Sequence, residues 1–441
     1  MRKQNCLKEF TGYTSLNILG MIGVSFYILA DTFFVSMALG INGLAALNLA
    51  LPLYSFMDGC GLMIGMGGGT KYSIQKSTGN DTAANRIFTN AVFLSGLFSV
   101  FFIVFVCLFL GSVLSFFGAK GEVLTLSKTY LSVILLFAPA FLMNYMLLAF
   151  VRNDGAPQLS MAAMIGGSLS NVILDWIFMF PCSMGIFGAS LATGLAPLIS
   201  ILILSPHLLR KKNGFHFIRC RASLRLFSEI LSTGIPSLIT EMSSAITMIV
   251  FNFIMLRLKG NVGVAAYSVI ANLSLVVIAI FTGLAQGIQP LISRNYGLKN
   301  KKNIHSLLQY ALTSVLLLSA GIYTVVFFGA PQITALFNSE QDPLLQSIAT
   351  EGMRLYFTAC PFAGFNVILS VYFSSIERPL PAHIISVLRG FIMIIPMAFF
   401  LSAAAGLKGA WCAFPAAEIL TAGTGLVLLL KPRSFFPHPK S

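Results

Sequence analysis

The sequence predicts an all-α membrane protein: twelve transmembrane helices in two six-helix bundles related by a pseudo-two-fold axis. Three observations carry this. The 441 residues are 56% hydrophobic and only 10% charged, where soluble domains carry roughly 25% charged residues. Apolar stretches of about 20 residues, enough to cross a bilayer as helix, recur through the chain; examples are 91–114, 131–151, 273–292 and 307–330. Motifs in the first half return in the second at a nearly constant spacing. The apolar runs are continuous and do not alternate with a period of two, which excludes a β-barrel.

In chain order the spans are predicted at 11–39, 44–70, 86–113, 123–151, 158–180 and 187–209, then 229–257, 264–292, 305–330, 347–376, 381–404 and 408–430. The first follows Arg2, Lys3 and Lys8 and is expected to remain as a helix rather than be cleaved. Loops are short except for the basic segment 210–228, so three regions are expected: an N-terminal lobe 1–209, a linker 210–228, and a C-terminal lobe 229–441. The charges test the count. With the N-terminus in the cytoplasm, most of the 28 Lys and Arg fall inside. They include Lys71, Lys76, Arg86, Arg152, Arg210, Lys211, Lys212, Arg294, Arg378, Arg433 and Lys440. Lys120, Lys128, Arg257, Lys259 and Lys408 fall outside, and Arg354 and Arg389 lie within spans. One missed helix would scramble this bias, so both termini are expected in the cytoplasm. The net charge of +14 thus reflects topology, not nucleic-acid binding.

The repeat is read from three regions. Gly40-x-x-Gly43-x-Ala45-Ala46 returns as Gly260-x-x-Gly263-x-Ala265-Ala266. Gly185-x-x-Gly188-Ala189 returns as Gly406-x-x-Gly409-Ala410. Pro139, Asn144 and Pro157 return as Pro361, Asn366 and Pro379. Six spans per half bring both halves into the membrane in the same direction, so the pseudo-two-fold axis runs along the membrane normal. Secondary transporters often use such repeats, with a binding site near the midplane between them.

Charged groups in hydrocarbon are costly unless they face water, the protein interior or a partner. Asp31, Asp58, Asp175, Glu241, Glu418 and Arg389 therefore stand out. Asp31, Asp175 and Thr193 are expected at one depth, about 8–14 Å below the outer surface at 1.5 Å rise per residue. Asn171 lies one turn from Asp175, and Tyr27 one turn from Asp31. Two close carboxyls share a proton readily because both resist ionising together. Carboxyl, amide and hydroxyl oxygens also suit a hard cation such as sodium. The bland alternative is that each acid only bonds locally between helices. Glu241 is expected near mid-membrane, in cation binding or protonation or else in helix packing; the role of Asp58 stays open. Arg389 and Glu418 are expected to form a structural ion pair. Gly65-x-Gly67-Gly68-Gly69 lacks the context of a phosphate loop and is read as close helix packing. The seven cysteines show no metal-type spacing, and no cofactor is expected. His207, His216, His305, His383 and His438 lie at loops or span ends. No HExxH, GxSxG or metal-spaced His cluster points to an enzyme, and a receptor or scaffold would leave the buried acids unexplained.

The ordered motifs resemble those of the multidrug and toxic compound extrusion (MATE) transporters. The likeness rests on Ala30-Asp31-Thr32-Phe33-Phe34-Val35 with Gly40 and Gly43-Leu44-Ala45-Ala46. Asn171-Val172-Ile173-Leu174-Asp175, Gly185-x-x-Gly188-Ala189-x-x-Ala192-Thr193, Gly234-Ile235-Pro236, Gly287-Ile288-Gln289-Pro290 and Asn295-Tyr296-Gly297 complete it, over nearly the whole chain. The resemblance implies export of small-molecule organic cations by alternating access, against inward proton or sodium flow. It implies a bacterial plasma (inner) membrane, and a monomer is expected. It also implies that Asp31, Asn171, Asp175 and Thr193 form an N-lobe cation site, with Tyr27 a neighbouring cavity tyrosine and Glu241 the acid of the seventh helix. Some branches carry an acid in the tenth helix; 355–375 has none, which favours coupling through the N-lobe, by proton first and sodium second. The transport alternative is a flippase for a lipid-linked sugar from the same wider superfamily. Such proteins often have more helices and a cationic cavity, whereas the intramembrane residues here are mainly acidic.

Overall fold

A computed structural model describes residues 2–209, 213–338 and 341–431. Arg210, Lys211, Lys212, Arg433, His438 and Lys440, named above, lie outside the described residues. Among the described residues the regular structure is entirely helical. The first half holds α1 (Cys6–Gly40), α2 (Asn42–Ser77), α3 (Asp81–Phe116), α4 (Gly121–Leu136 and Ala138–Asn153), α5 (Pro157–Met179) and α6 (Gly185–Leu209). The second half holds α7 (224–259), α8 (261–297), α9 (Lys301–Phe337), α10 (Pro343–Ser375), α11 (379–404) and α12 (407–430). These are the twelve predicted spans, several of them a turn or more longer than expected.

Glycine makes the turns that the sequence does not spell out as loops. Helix runs on both sides of Gly40, whose φ of 60° and ψ of −145° break the hydrogen-bond ladder. Gly260 breaks α7 from α8 at 61° and −148°. A side chain would be strained at this positive φ. Gly185 before α6 and Gly406 before α12 share a φ of 57°. The two glycine repeats read from the sequence thus have matching backbone. Helix α4 bends by 51° at Phe137, because Pro139 lacks an amide hydrogen and its ring crowds the carbonyl four residues back. In α11 a π-helical segment, Leu388–Ile392, carries Arg389; π-bulges of this kind often mark functional positions.

The outside of the bundle is apolar. Leu97 and Leu108 on α3 are 59% and 66% exposed; Leu317 and Phe328, at the equivalent places on α9, are each 71% exposed. In a soluble protein such faces would aggregate; in a bilayer they meet lipid.

The two halves meet tightly at the end of the bundle that carries the linker. A Cβ on Gly67 of α2 would lie 3.1 Å from the Gly234 nitrogen of α7, and one on Gly287 of α8 would lie 2.7 Å from Thr14 Cα of α1. The two contacts are one contact repeated, since 67 and 287, like 14 and 234, are 220 apart. Small residues here let backbones touch, the main source of cohesion between helices in lipid. Gly65, Gly68 and Gly69 likewise lie against Tyr145, Phe150 and Asn153 of α4, so the glycine-rich run is a packing surface. Polar links reinforce the seam. Lys71 pairs with Glu377 at 2.7 Å and Glu229 at 3.6 Å, Arg294 pairs with Glu9, and Asn153 and Gln289 exchange hydrogen bonds of 2.9 and 3.1 Å.

The described part of the linker is strapped to the first half. Phe215 is fully buried, 4.7 Å from the Phe88 ring and 5.7 Å from Phe150. The Asp154 carboxyl accepts from the Gly214 amide at 2.7 Å and from Tyr72 at 2.5 Å, and meets His207 at 2.9 Å. Backbone amides of His216, Ile218 and Ser223 donate to Asn85, Thr89 and Asn90 of α3. Ser223 then caps α7. A cavity of about 390 Å³ lies between the halves, lined by residues from both.

Candidate functional site

Two groups of intramembrane acids are separated by this packing. The first sits inside the first half. Asp31 on α1 and Asp175 on α5 are both buried, each within electrostatic range of the other. Tyr130 of α4 donates to Asp31 Oδ2 at 3.4 Å, a long and weak bond. The Asn171 amide is oriented by its neighbours: its nitrogen donates to Asp175 Oδ2 at 3.1 Å and its oxygen faces Thr193 Oγ1 at 3.3 Å. Thr193 also donates to the Ala189 carbonyl at 3.0 Å. Local sequence makes the group possible. Asn171 and Asp175 are one turn apart on α5, and the Gly185 turn brings α6 back beside them. Gly167 lets the helices close, since a Cβ there would lie 3.2 Å from Ser200 Cβ of α6. Among the described residues Asp31 Oδ1 and Asp175 Oδ1 have no hydrogen-bond partner.

The second group lines the central cavity. Asp58 of α2 and Glu241 of α7 face it from opposite halves, together with Tyr27, Tyr54 and Tyr145. The Tyr27 and Tyr54 hydroxyls are 3.3 Å apart, and Tyr54 and Tyr145 lie beside Asp58. The structure therefore brings Asp31, Asn171, Asp175 and Thr193 together, while Tyr27 and Glu241 belong to the cavity. Thr193 also lines the cavity wall, so it stands between the two groups. Asp58, which the sequence leaves without a partner, gains its surroundings here.

Arg389 and Glu418 pair as expected, Nε to Oε1 at 2.6 Å. Asn366 donates to the other carboxylate oxygen at 2.7 Å, so this buried acid is neutralised where it stands. Sequence reasoning missed Tyr130, Tyr54 and Tyr145, which carry no motif of their own. It also counted Arg152 only as a charge near a loop, whereas Arg152 is 3% exposed and lines the cavity.

The family model MatE matches the chain twice, over residues 17–177 and 236–400. This chain belongs to the MatE family. The two matches begin 219 residues apart, in step with the glycine repeat. Membership makes the MatE chain a membrane transporter and not an enzyme. Among curated relatives it is similar to the multidrug export protein MepA of Staphylococcus saprophyticus, 24% identical over 430 residues, which are 97% of this chain and 94% of that one. MepA of Staphylococcus aureus is 25% identical over the same shares. Solved structures show the same fold. An outward-facing multidrug resistance MATE family transporter of the MOP superfamily superposes with a TM-score of 0.90 at 22% identity, covering 96% of this MatE chain and 94% of the other. A MOP superfamily transporter from Pyrococcus furiosus gives 0.89 at 23% identity, with the same coverage.

Proposed function

We propose that the chain is a cation-coupled antiporter that exports organic, cationic or amphipathic small molecules by alternating access. Coupling by proton runs through Asp31 and Asp175. The observation that carries this is the buried carboxyl pair: no Lys, Arg or His pairs with either acid among the described residues. Two adjacent carboxyls without a counter-ion hold together by sharing a proton or binding a cation. Asn171 and Thr193 supply neutral oxygens and keep sodium as the alternative. Among the described residues no three His, Cys, Asp or Glu converge as metal ligands, so a sodium ion would depend on those two neutral oxygens, whereas a proton would not.

The lobes are 1–209 and 229–441, joined by the linker 210–228, whose described part moves with the first. The positive-inside bias supports placing the linker and both termini in the cytoplasm of a bacterium, with the chain working as a monomer in the plasma membrane. With that orientation the glycine seam closes the cytoplasmic side, and the cavity belongs to an outward-facing state. Glu241 and Tyr27 contact substrate in the cavity. Thr193 carries the link between sites, because it touches Asn171 on one side and lines the cavity on the other. An ion drives export only through different affinity for the two states. Protonating the carboxyl pair removes negative charge beside the cavity wall, weakens the hold on a bound organic cation and lets α5 and α6 repack.

The test is efflux of a fluorescent organic cation from proteoliposomes. An imposed pH gradient without sodium should drive it, and Asp31→Asn should abolish it. Efflux that requires inward sodium at every pH gradient would overturn the proton reading and leave sodium in its place.

A further inference from the structure

The linker between the halves does not loop freely through water. Its described part is non-helical from 213 to 223 and runs along α3. The His216 amide donates to Asn85 Oδ1 at 2.8 Å, the Ile218 amide to Thr89 Oγ1 at 3.1 Å, and the Ser223 amide to Asn90 Oδ1 at 2.9 Å. Asn90 in turn donates to Cys220 Sγ at 3.8 Å. Asn85 and Thr89 are one turn apart on α3, Asn90 follows, and the apolar run 91–114 begins at the next residue. The strap therefore lies where α3 enters the hydrocarbon. Three of its amides are satisfied by side chains, as backbone at the edge of a bilayer requires.

From 217 to 221 exposure alternates. Phe217, Arg219 and Arg221 are exposed, and Ile218 and Cys220 between them are half-buried, the period of two that an extended chain shows when it lies on a surface. One aromatic ring and two guanidiniums thus share the face turned away from α3. The Phe217 ring meets the Phe93 ring at 6.0 Å, about 12 Å along α3 from Asn85. Phe217 is 59% exposed, and Phe93 is one turn from the lipid-facing Leu97. A ring open to this extent, beside arginines and continuous with the lipid-facing surface, belongs at the membrane interface. The arginines are not neutralised by the protein. Asp81 pairs with Lys76 at 2.8 Å and Glu229 with Arg225 at 3.1 Å, and among the described residues no carboxylate pairs with Arg219 or Arg221.

We infer that the outer face of the strap is a binding site for anionic phospholipid, with the phosphodiester headgroup against Arg219 and Arg221 and an acyl chain against Phe217 and Phe93. A guanidinium fork takes two phosphate oxygens at once, and a basic segment at a leaflet surface gathers anionic lipid. The bonded amides fix the arginines relative to α3, so the headgroup meets a built surface and not a loose tail. A zwitterionic lipid brings an ammonium that two guanidiniums repel, and it is disfavoured. The strap leads through Ser223 into α7, so a lipid seated here acts on the segment that joins the two halves. Neither the carboxyl pair nor the central cavity takes part in this binding.

The experiment uses the full chain in phosphatidylcholine liposomes, with Phe217→Trp as a fluorescent reporter that keeps a ring against Phe93. Trp176 and Trp411 stand toward the other end of the bundle, and the chain without the reporter gives their background. A minor fraction of phosphatidylglycerol with brominated acyl chains quenches the reporter according to its local concentration. Compared with brominated phosphatidylcholine at the same fraction, quenching should report about tenfold enrichment, which shrinks as salt is raised. Arg219→Gln combined with Arg221→Gln should remove the enrichment. Arg225→Gln, at an arginine already paired with Glu229, should leave it. An unchanged enrichment in the double variant overturns the proposal. An equal loss in Arg225→Gln also overturns it, because the attraction would then belong to the whole basic face. Thermal unfolding of the chain without the reporter repeats the test independently of the indole. Phosphatidylglycerol added to detergent should raise the midpoint above that with phosphatidylcholine in the wild type and not in the double variant. Equal midpoints in the wild type, or a rise that survives in the double variant, overturn the proposal.

Discussion

At position 31 the first half buries a carboxyl; at the matching place in the second half, 220 residues on, stands Phe251. At position 193 the first half has a threonine hydroxyl; the spacing that relates Gly185 to Gly406 carries it onto Phe414. Around Phe251 and Phe414 the second half builds an aromatic stack. Phe251 lies 5.1 Å from Tyr267 and nearly parallel to it, and Tyr356 lies 4.5 Å from Phe414. Trp411 continues the stack at 6.4 Å from Tyr267. The two halves share their helix order, their glycine turns and their seam, and differ in what fills one internal position. One half holds polar groups whose charge is not cancelled locally. The other fills the space with rings that gain from burial and stacking. On the proposed coupling, the duplicated frame assigns the ion chemistry to the first lobe and leaves the second with a packed aromatic interior.

The largest effect expected from this contrast is on stability, in the second half. Glu418 is 1% exposed in its side chain and fully engaged by Arg389 and Asn366. Replacing Glu418 by Gln leaves a guanidinium without its counter-ion and should cost about 3–5 kcal/mol. Arg389→Gln should cost a similar amount, and the double change should recover part of the loss. Thermal unfolding in detergent of the three variants reads this out, and additive losses would break the assignment of the pair as structural.

The first half should respond in the opposite sense. Asp31→Asn and Asp175→Asn keep the shape of the side chain and remove a charge that has no protein counter-ion. Folding and expression should hold, while gradient-driven efflux falls by roughly 100-fold. If these variants unfold and Glu418→Gln stays stable, the roles of the halves are reversed and the comparison fails.

The sequence made the frame readable because its signals are coarse. Span-length apolar runs and repeated Gly-x-x-Gly steps survive any detail of packing, and a positive φ at Gly40 and Gly260 demands glycine in both halves. That Asp31, Asn171, Asp175 and Thr193 share one depth was readable from span position and helical spacing, and their grouping as one site came from the family resemblance. The partition between cluster and cavity was not. Whether Tyr27 turns toward Asp31 or toward Tyr54 depends on helix rotation, and a one-residue change of phase swings a side chain by about 100°. Arg152 was misjudged for a related reason. A basic residue near a span end usually reaches water, but here Asn17 and Gln286 from two other helices close over it, and contacts between distant segments leave no local pattern.

The smallest effect, and the finest test of the contrast, concerns Tyr130. Its hydroxyl is the one side-chain donor that reaches Asp31 among the described residues, at 3.4 Å. The matching region of the second half has Gly352 packed against Trp411, so no comparable donor exists there. A neutral hydrogen bond of this length contributes at most about 1 kcal/mol. Tyr130→Phe should therefore slow pH-driven efflux by only about two- to fivefold and leave thermal stability nearly unchanged, since the ring stays packed. In the Asp31→Asn background the same change should add little, because the carboxyl that it orients is already gone. Efflux rates of the two single variants and the double variant complete the cycle. Independent, multiplicative losses would mean that Tyr130 acts on helix packing and not through Asp31.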